Sequence, residues 1–120
     1  MTKSSETKEL LKKYYDGLSS GGDWHSMLSE EIFLTGTIAK GTKGKELFVN
    51  NNFFKMVKGL MVKEMIVENE NACCLISYDL MSPYGKRFSS DVAEIWKVKD
   101  GKLESLAIYF DTAAFRASMT

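Results

Sequence analysis

The sequence predicts an α+β fold, with helices from its first half laid over one face of a mostly antiparallel sheet formed by its second half. Three observations lead there. Apolar residues recur at three- and four-residue steps between Ser4 and Ser20, and from Leu60 onward the pattern turns extended and rich in β-branched and aromatic residues. Within that second half, Asp100-Gly101 stands between two such runs, from Asp91 to Phe115, and Asp-Gly is a strong short-range hairpin signal.

The hairpin admits two registers. A two-residue turn at Asp100-Gly101 sets Lys99 opposite Lys102 and puts Glu94 on the face of Trp96, Ala107 and Tyr109. A type I turn followed by Gly101 in a left-handed bulge slips the pairing by one residue, so that Glu94 joins Leu106, Ile108 and Phe110. The bulged form is the one expected, with Gly101 at positive φ. In either register Val92, Ile95, Leu106, Tyr109 and Phe110 cannot all point one way, so both sheet faces need cover. Helices supply one cover. A second copy of the chain is the natural source of the other, and a homodimer is expected.

In chain order, Leu10, Leu11, Tyr14, Tyr15 and Leu18 form the apolar stripe of a first helix, opposite Lys8, Glu9, Lys12, Lys13 and Asp16. Gly21-Gly22 ends it in the manner of a left-handed cap. Asp23 is placed to cap a short second helix through Trp24 to Leu28. Ile32 to Gly36 reads as a short strand, Ala39 to Gly44 as a Gly- and Lys-rich loop, and Lys45 to Lys58 as a third helix stopped by Gly59. Then come strands from Leu60 to Glu68 and Cys73 to Met81, with turns at Asn69-Glu70-Asn71 and Ser82-Pro83-Tyr84-Gly85, and the closing hairpin. No repeat or low-complexity linker interrupts the chain, so residues 1–120 read as one domain.

Composition narrows the function. Lys+Arg and Asp+Glu are both 16 in 120 residues, and nucleic acid or an anionic membrane as main partner would demand a positive excess. No apolar run approaches the ~20 residues that span a bilayer, and the first 13 residues are polar, which points to a soluble, cytoplasmic protein. Cys73 and Cys74 are adjacent and cannot staple distant segments; they read as reduced, buried strand thiols. His25 is the single histidine, so neither a multi-histidine metal site nor a Cys/His cluster is available, and neither metal nor cofactor is expected. Gly36 with Gly41-Thr42-Lys43 imitates a phosphate loop, but Thr and Lys stand in the reverse of the order such a loop needs.

The order of helix, short helix, strand, long helix and antiparallel strands, ending in Lys-Asp-Gly-Lys-Leu and Ile-Tyr-Phe-Asp, resembles the nuclear transport factor 2-like superfamily. The nearest likeness is to its SnoaL-like and ketosteroid-isomerase-like branch. The resemblance spans nearly the whole chain and implies a cone: a strongly curved sheet wrapped around helices, a ligand pocket inside and a dimer interface on the outer face. It sets Tyr14 where the isomerases hold a helix-one tyrosine that donates to a developing enolate oxygen, and Glu94 where they hold a protonated carboxylic acid beside it. Read from the residues alone, Tyr14 is equally a core tyrosine, and Glu94 an ionised partner of some Lys or Arg. The third part of that mechanism is a base at the end of the first strand. Leu34-Thr35-Gly36-Thr37 has no carboxylate, so steroid isomerisation is not expected. Asp79 and Asp111 are the other carboxylates near aromatic strand residues, and Asp111 reads as the cap of the turn that follows.

Trp24, Phe33, Phe54, Met61, Trp96, Leu106, Ile108 and Phe110 are the expected lining of the cone. The expected role is binding of a small, largely apolar molecule, with Tyr14 and Glu94 available for acid–base chemistry of isomerase, cyclase or dehydratase type. The alternative is a non-catalytic dimerisation or protein-binding module whose cone is filled by side chains. An open cavity would favour the first and a plugged one the second.

Overall fold

The computed structural model describes residues 2–37 and 41–120. Helix α1, Lys3–Ser20, opens on a reciprocal capping box between Thr2 and Ser5 and closes on Gly21 at φ 74°, whose N–H donates to the Gly17 carbonyl. Its buried face carries Thr7, Leu11, Tyr14, Tyr15 and Leu18. The Thr7 hydroxyl donates to the Asn69 carbonyl at 2.6 Å, and Asn69 N–H donates to Ser4 Oγ at 2.8 Å, which ties the helix to the first sheet turn.

Six strands follow: β1 Leu28–Gly36, β2 Thr42–Lys43, β3 Val57–Glu68, β4 Asn71–Met81, β5 Arg87–Lys99 and β6 Lys102–Phe110. They form one sheet in the order β2-β1-β6-β5-β4-β3, antiparallel except for the β1–β6 pair. Helices α2, Lys45–Val49, and α3, Asn52–Met56, lie between β2 and β3, and α4, Thr112–Ala117, ends the chain. The α+β class is therefore as expected, with one parallel pair added.

The helices depart from expectation in two places. No helix spans Trp24 to Leu28; Asp23 instead accepts from the backbone N–H and hydroxyl of Ser26, closing a turn, and β1 begins at Leu28. The single helix expected from Lys45 to Lys58 is two helices of five residues each. Asn51 breaks it by accepting from Phe53 N–H and capping α3, while Val57 already belongs to β3 and Gly59 lies inside that strand. Ala39 and Lys40 of the expected loop lie outside the described residues.

The closing hairpin takes parts of both registers. Asp100 (φ 51°) and Gly101 (φ 74°) form a two-residue turn with Lys99 opposite Lys102, as the unbulged form requires. The pairing then shifts: Val98 faces Leu103 but Lys97 faces Ser105, leaving Glu104 as the extra residue of a bulge. That slip brings Glu94 opposite Ile108 and Trp96 opposite Leu106, the face expected, reached by a bulge three residues beyond Gly101.

Cross-strand rows then define two faces. On the concave side a row runs Gly36–Ile108–Glu94–Cys74–Met65, and the next Leu34–Leu106–Trp96–Ala72–Val67. The convex side carries Thr35–Ala107–Ile95–Cys73–Ile66. Helix α1 closes the concave side, packing Leu11, Tyr14 and Tyr15 into one cluster with Trp96, Leu106 and Ile108. No helix among the described residues is long and apolar enough to cross a membrane.

Candidate functional site

Glu94 lies at the middle of the concave face and is fully buried. Its partners are phenols. Tyr15, from α1, donates to Oε1 at 2.5 Å, and Tyr78, from β4, donates to Oε2 at 2.7 Å. Trp96 Nε1–H donates in turn to the Tyr15 oxygen at 3.0 Å. One helix and two strands thus meet in a single network, each by a different logic. Tyr15 is on the helix stripe, Tyr78 shares the inward phase of Cys74, Ile76 and Leu80, and Trp96 stands two residues along β5 on the same face.

Burial raises the Glu94 carboxyl to about 7, an effect only partly offset by the hydrogen bonds from Tyr15 and Tyr78. The phenols of Tyr14, Tyr15 and Tyr78 are pushed well above their usual value, first by burial and then by the charge of Glu94. Burial likewise pushes the Cys74 thiol up to about 12. No Lys or Arg among the described residues forms an ion pair with Glu94; the described ion pairs are surface contacts such as Arg87–Asp79 and Lys63–Asp91.

Tyr14 sits beside this network without joining it. Its hydroxyl is buried and has no hydrogen-bond partner among the described residues. Its ring meets Trp96 and Tyr15 edge-on, with centroids 4.9 and 5.0 Å away, and Trp24 at 6.0 Å. Beyond Trp24 the aromatic contacts continue through Phe54 at 4.9 Å, from Phe54 to Phe53 at 5.7 Å, and from Phe53 to Tyr78 at 5.1 Å and Phe110 at 6.3 Å.

The structure brings Trp24, Phe54, Trp96, Leu106, Ile108 and Phe110 together with Tyr14 in one core cluster. Phe33 and Met61 are not part of it. Phe33 alternates with the buried Ile32 and Leu34, Met61 pairs with Ser77 on the convex phase, and the two are 42% and 62% exposed. Trp24, Phe54 and Phe110 are half-buried, whereas Tyr14, Tyr78, Trp96 and Glu94 are fully enclosed. The floor is therefore sealed beneath a more open aromatic rim.

Other candidates fall elsewhere. Asp79 points away from the core and takes Arg87 Nη2 at 2.6 Å. Asp111 accepts from Ala113 N–H and caps α4, as expected. His25 is exposed, edge-on to Trp24. Cys74 is buried next to Glu94, but Cys73 is exposed on the convex face, so only one thiol matches the expected burial. Tyr15 and Tyr78 are the network members that sequence reasoning did not single out. The polar phase of Ser77 and Asp79 was the available signal for Tyr78.

Comparison with known proteins places this geometry. No family model matches the sequence, and no curated protein matches it. Solved structures do. A protein proposed to be a SnoaL-like polyketide cyclase, from Jannaschia sp. CCS1, superposes with a TM-score of 0.83 at 14% identity, over 96% of this chain and 92% of that one. The chain adopts the nuclear transport factor 2-like fold. TerC, co-crystallized with polyporic acid, gives 0.81 at 16% identity over 95% of this chain and 98% of its own. An NTF2-like protein of unknown function from Cytophaga hutchinsonii gives 0.76 at 21% over 92% and 94%. At these identities the likeness establishes the cone and not the chemistry within it.

Proposed function

We propose that this chain binds a small, largely apolar molecule inside the cone, its polar group set against Tyr14 and Glu94. The Tyr14 hydroxyl carries this reading. A buried hydroxyl without a partner costs about 1–3 kcal/mol, and Tyr14 holds one, unmet among the described residues, beside a carboxyl network. A ligand that bonds that hydroxyl recovers the loss. Entry is past the half-buried Trp24, Phe54 and Phe110, where α2 and α3 form the cover. Single turns of helix have little stability of their own, so this cover is the least costly part of the core to displace.

Any reaction at the site would be acid–base work of the isomerase, cyclase or dehydratase type. A carboxyl near 7 can take or give a proton at neutral pH, and Tyr14 offers the unengaged hydroxyl. Glu94 differs in one respect from a neutral oxyanion donor: both of its oxygens already accept from tyrosines. Its role in proton transfer is that of an acceptor.

Tyr14→Phe tests the reading. The unliganded variant should be about 1–3 kcal/mol more stable than the wild type, because the orphaned hydroxyl is gone. The thermal shift given by an aromatic ligand panel should be lost. Loss of stability in the unliganded variant would mean that the hydroxyl is already satisfied, and would remove the basis of the proposal.

The second reading, a dimerisation module, also has a specific observation behind it. Met61, Ile66, Ile95 and Tyr109 are exposed on the outer sheet face. A second copy would cover them. The two readings are compatible, since the convex face and the cone interior use opposite sides of the same strands.

A further inference from the structure

We infer that the ligand of the cone carries a basic nitrogen, bound as an ammonium between the Tyr14 hydroxyl, the surrounding aromatic rings and the Glu94 carboxylate. This rests on the binding reading above and adds the charge class of the ligand.

The direction of the hydrogen bonds is the first support. Trp96 Nε1–H occupies the Tyr15 oxygen, which turns the Tyr15 proton toward Glu94 Oε1, and the Tyr78 proton goes to Oε2. Both carboxyl oxygens are thus approached by donors, the arrangement that suits a carboxylate.

Charge balance is the second support. Glu94 has no cationic partner among the described residues, and an ionised carboxylate left alone in an apolar core is costly. A cationic ligand supplies the missing charge, beside a neutral ketone the carboxyl escapes the cost only by taking up a proton, and an anion adds like charge. The walls suit a cation as well. The rings of Trp24 and Trp96 lie 6.0 and 4.9 Å from the Tyr14 ring, π systems of the kind that attract ammonium groups, and the lone pairs of the Tyr14 hydroxyl, which has no partner among the described residues, can accept an N–H.

The titratable groups facing Glu94 are Tyr14 and Tyr15 from α1 and Cys74 and Tyr78 from β4. Burial keeps all four neutral, so Glu94 is the member of the set whose charge changes around neutrality. Ammonium binding should therefore weaken as Glu94 takes up its proton.

The test uses matched amine, ketone and carboxylate triplets on one-, two- and three-ring aromatic skeletons, with 1-aminoindane, 1-indanone and indane-1-carboxylate as the two-ring set. Titration calorimetry on the wild type and on Glu94→Gln would be run at about pH 8 and about pH 5.5, either side of the carboxyl's titration. The amine should bind at least ~10-fold more tightly than its carboxylate counterpart at the higher pH, with the gap closing at the lower pH and in Glu94→Gln. The pH arm needs no variant, so it stands even if Glu94→Gln folds poorly. Ketones binding as tightly as amines at both pH values would overturn the inference and leave the binding reading intact. Failure of every skeleton at millimolar concentration would bring down both.

Discussion

Glu94 gives the sharpest quantitative expectation, because its ionisation differs between the folded and unfolded chain. Its carboxyl stands at about 7 when folded and 4.5 when solvated. The folded state therefore holds a proton over a pH range in which the unfolded state has released it, and stability falls as pH rises through that window. A gap of this size corresponds to roughly 3 kcal/mol, lost between about pH 4.5 and pH 7 and constant above. Glu94→Gln cannot ionise. Its amide can accept from Tyr15 and donate to the Tyr78 oxygen, so the cost of the change itself is about 1 kcal/mol. The wild type should be the more stable protein in mild acid, and the variant should equal or exceed it above neutrality. Urea unfolding of both proteins across the range measures the difference, in which every other titrating group cancels. A wild-type advantage that is flat or grows with pH would show that the ionised carboxylate is stabilised by a cation, and would refute this account.

Three further outcomes can be checked directly. Tyr78→Phe removes one of the two hydrogen bonds that hold the Glu94 carboxyl down, so its titration midpoint, read from the same stability difference or from carboxyl NMR shifts, should move above about 7; an unchanged or lower midpoint would contradict the network. Gly36→Ala should cost more than ~2 kcal/mol in denaturant unfolding, because a Cβ there would meet the Ile108 carbonyl oxygen at 1.9 Å and the residue sits at φ 151°. Sedimentation of the wild type should show a dimer at micromolar concentration, and Ile95→Lys, at the middle of the convex apolar row, should yield a folded monomer; a monomeric wild type would leave Met61, Ile66, Ile95 and Tyr109 without an occupant.

Much of the fold was legible because it is written in periodicity. The helix stripe to Leu18, the strands beyond Leu60 and the Asp100-Gly101 turn are local patterns, and each element formed close to its expected place. The failures were local too. Phe48, Phe53 and Phe54 gave the stretch from Lys45 to Lys58 an apolar look, but Asn50-Asn51 in its middle favours a break over a continuous helix, since asparagine competes for backbone hydrogen bonds. Phe33 and Met61 were read as lining by their size, when alternation with Ile32 and Leu34, or with the bulged course of β3, fixes their face.

The site was legible only by half, and the reason is physical. Strand phase decides which face a residue joins, and the Glu104 bulge gave Glu94 the concave face by restoring the one-residue slip that the tight turn had withheld. Phase does not decide partners. Tyr14 and Tyr15 both belong to the buried stripe, and nothing in helical spacing says which phenol reaches Glu94 and which is left unpaired. That choice depends on Trp96 occupying the Tyr15 oxygen and on Tyr78 arriving from a strand 16 residues before Glu94. With two phenols already committed to the carboxyl, the third hydroxyl is the one without a partner among the described residues, and the proposed binding turns on that difference between adjacent tyrosines.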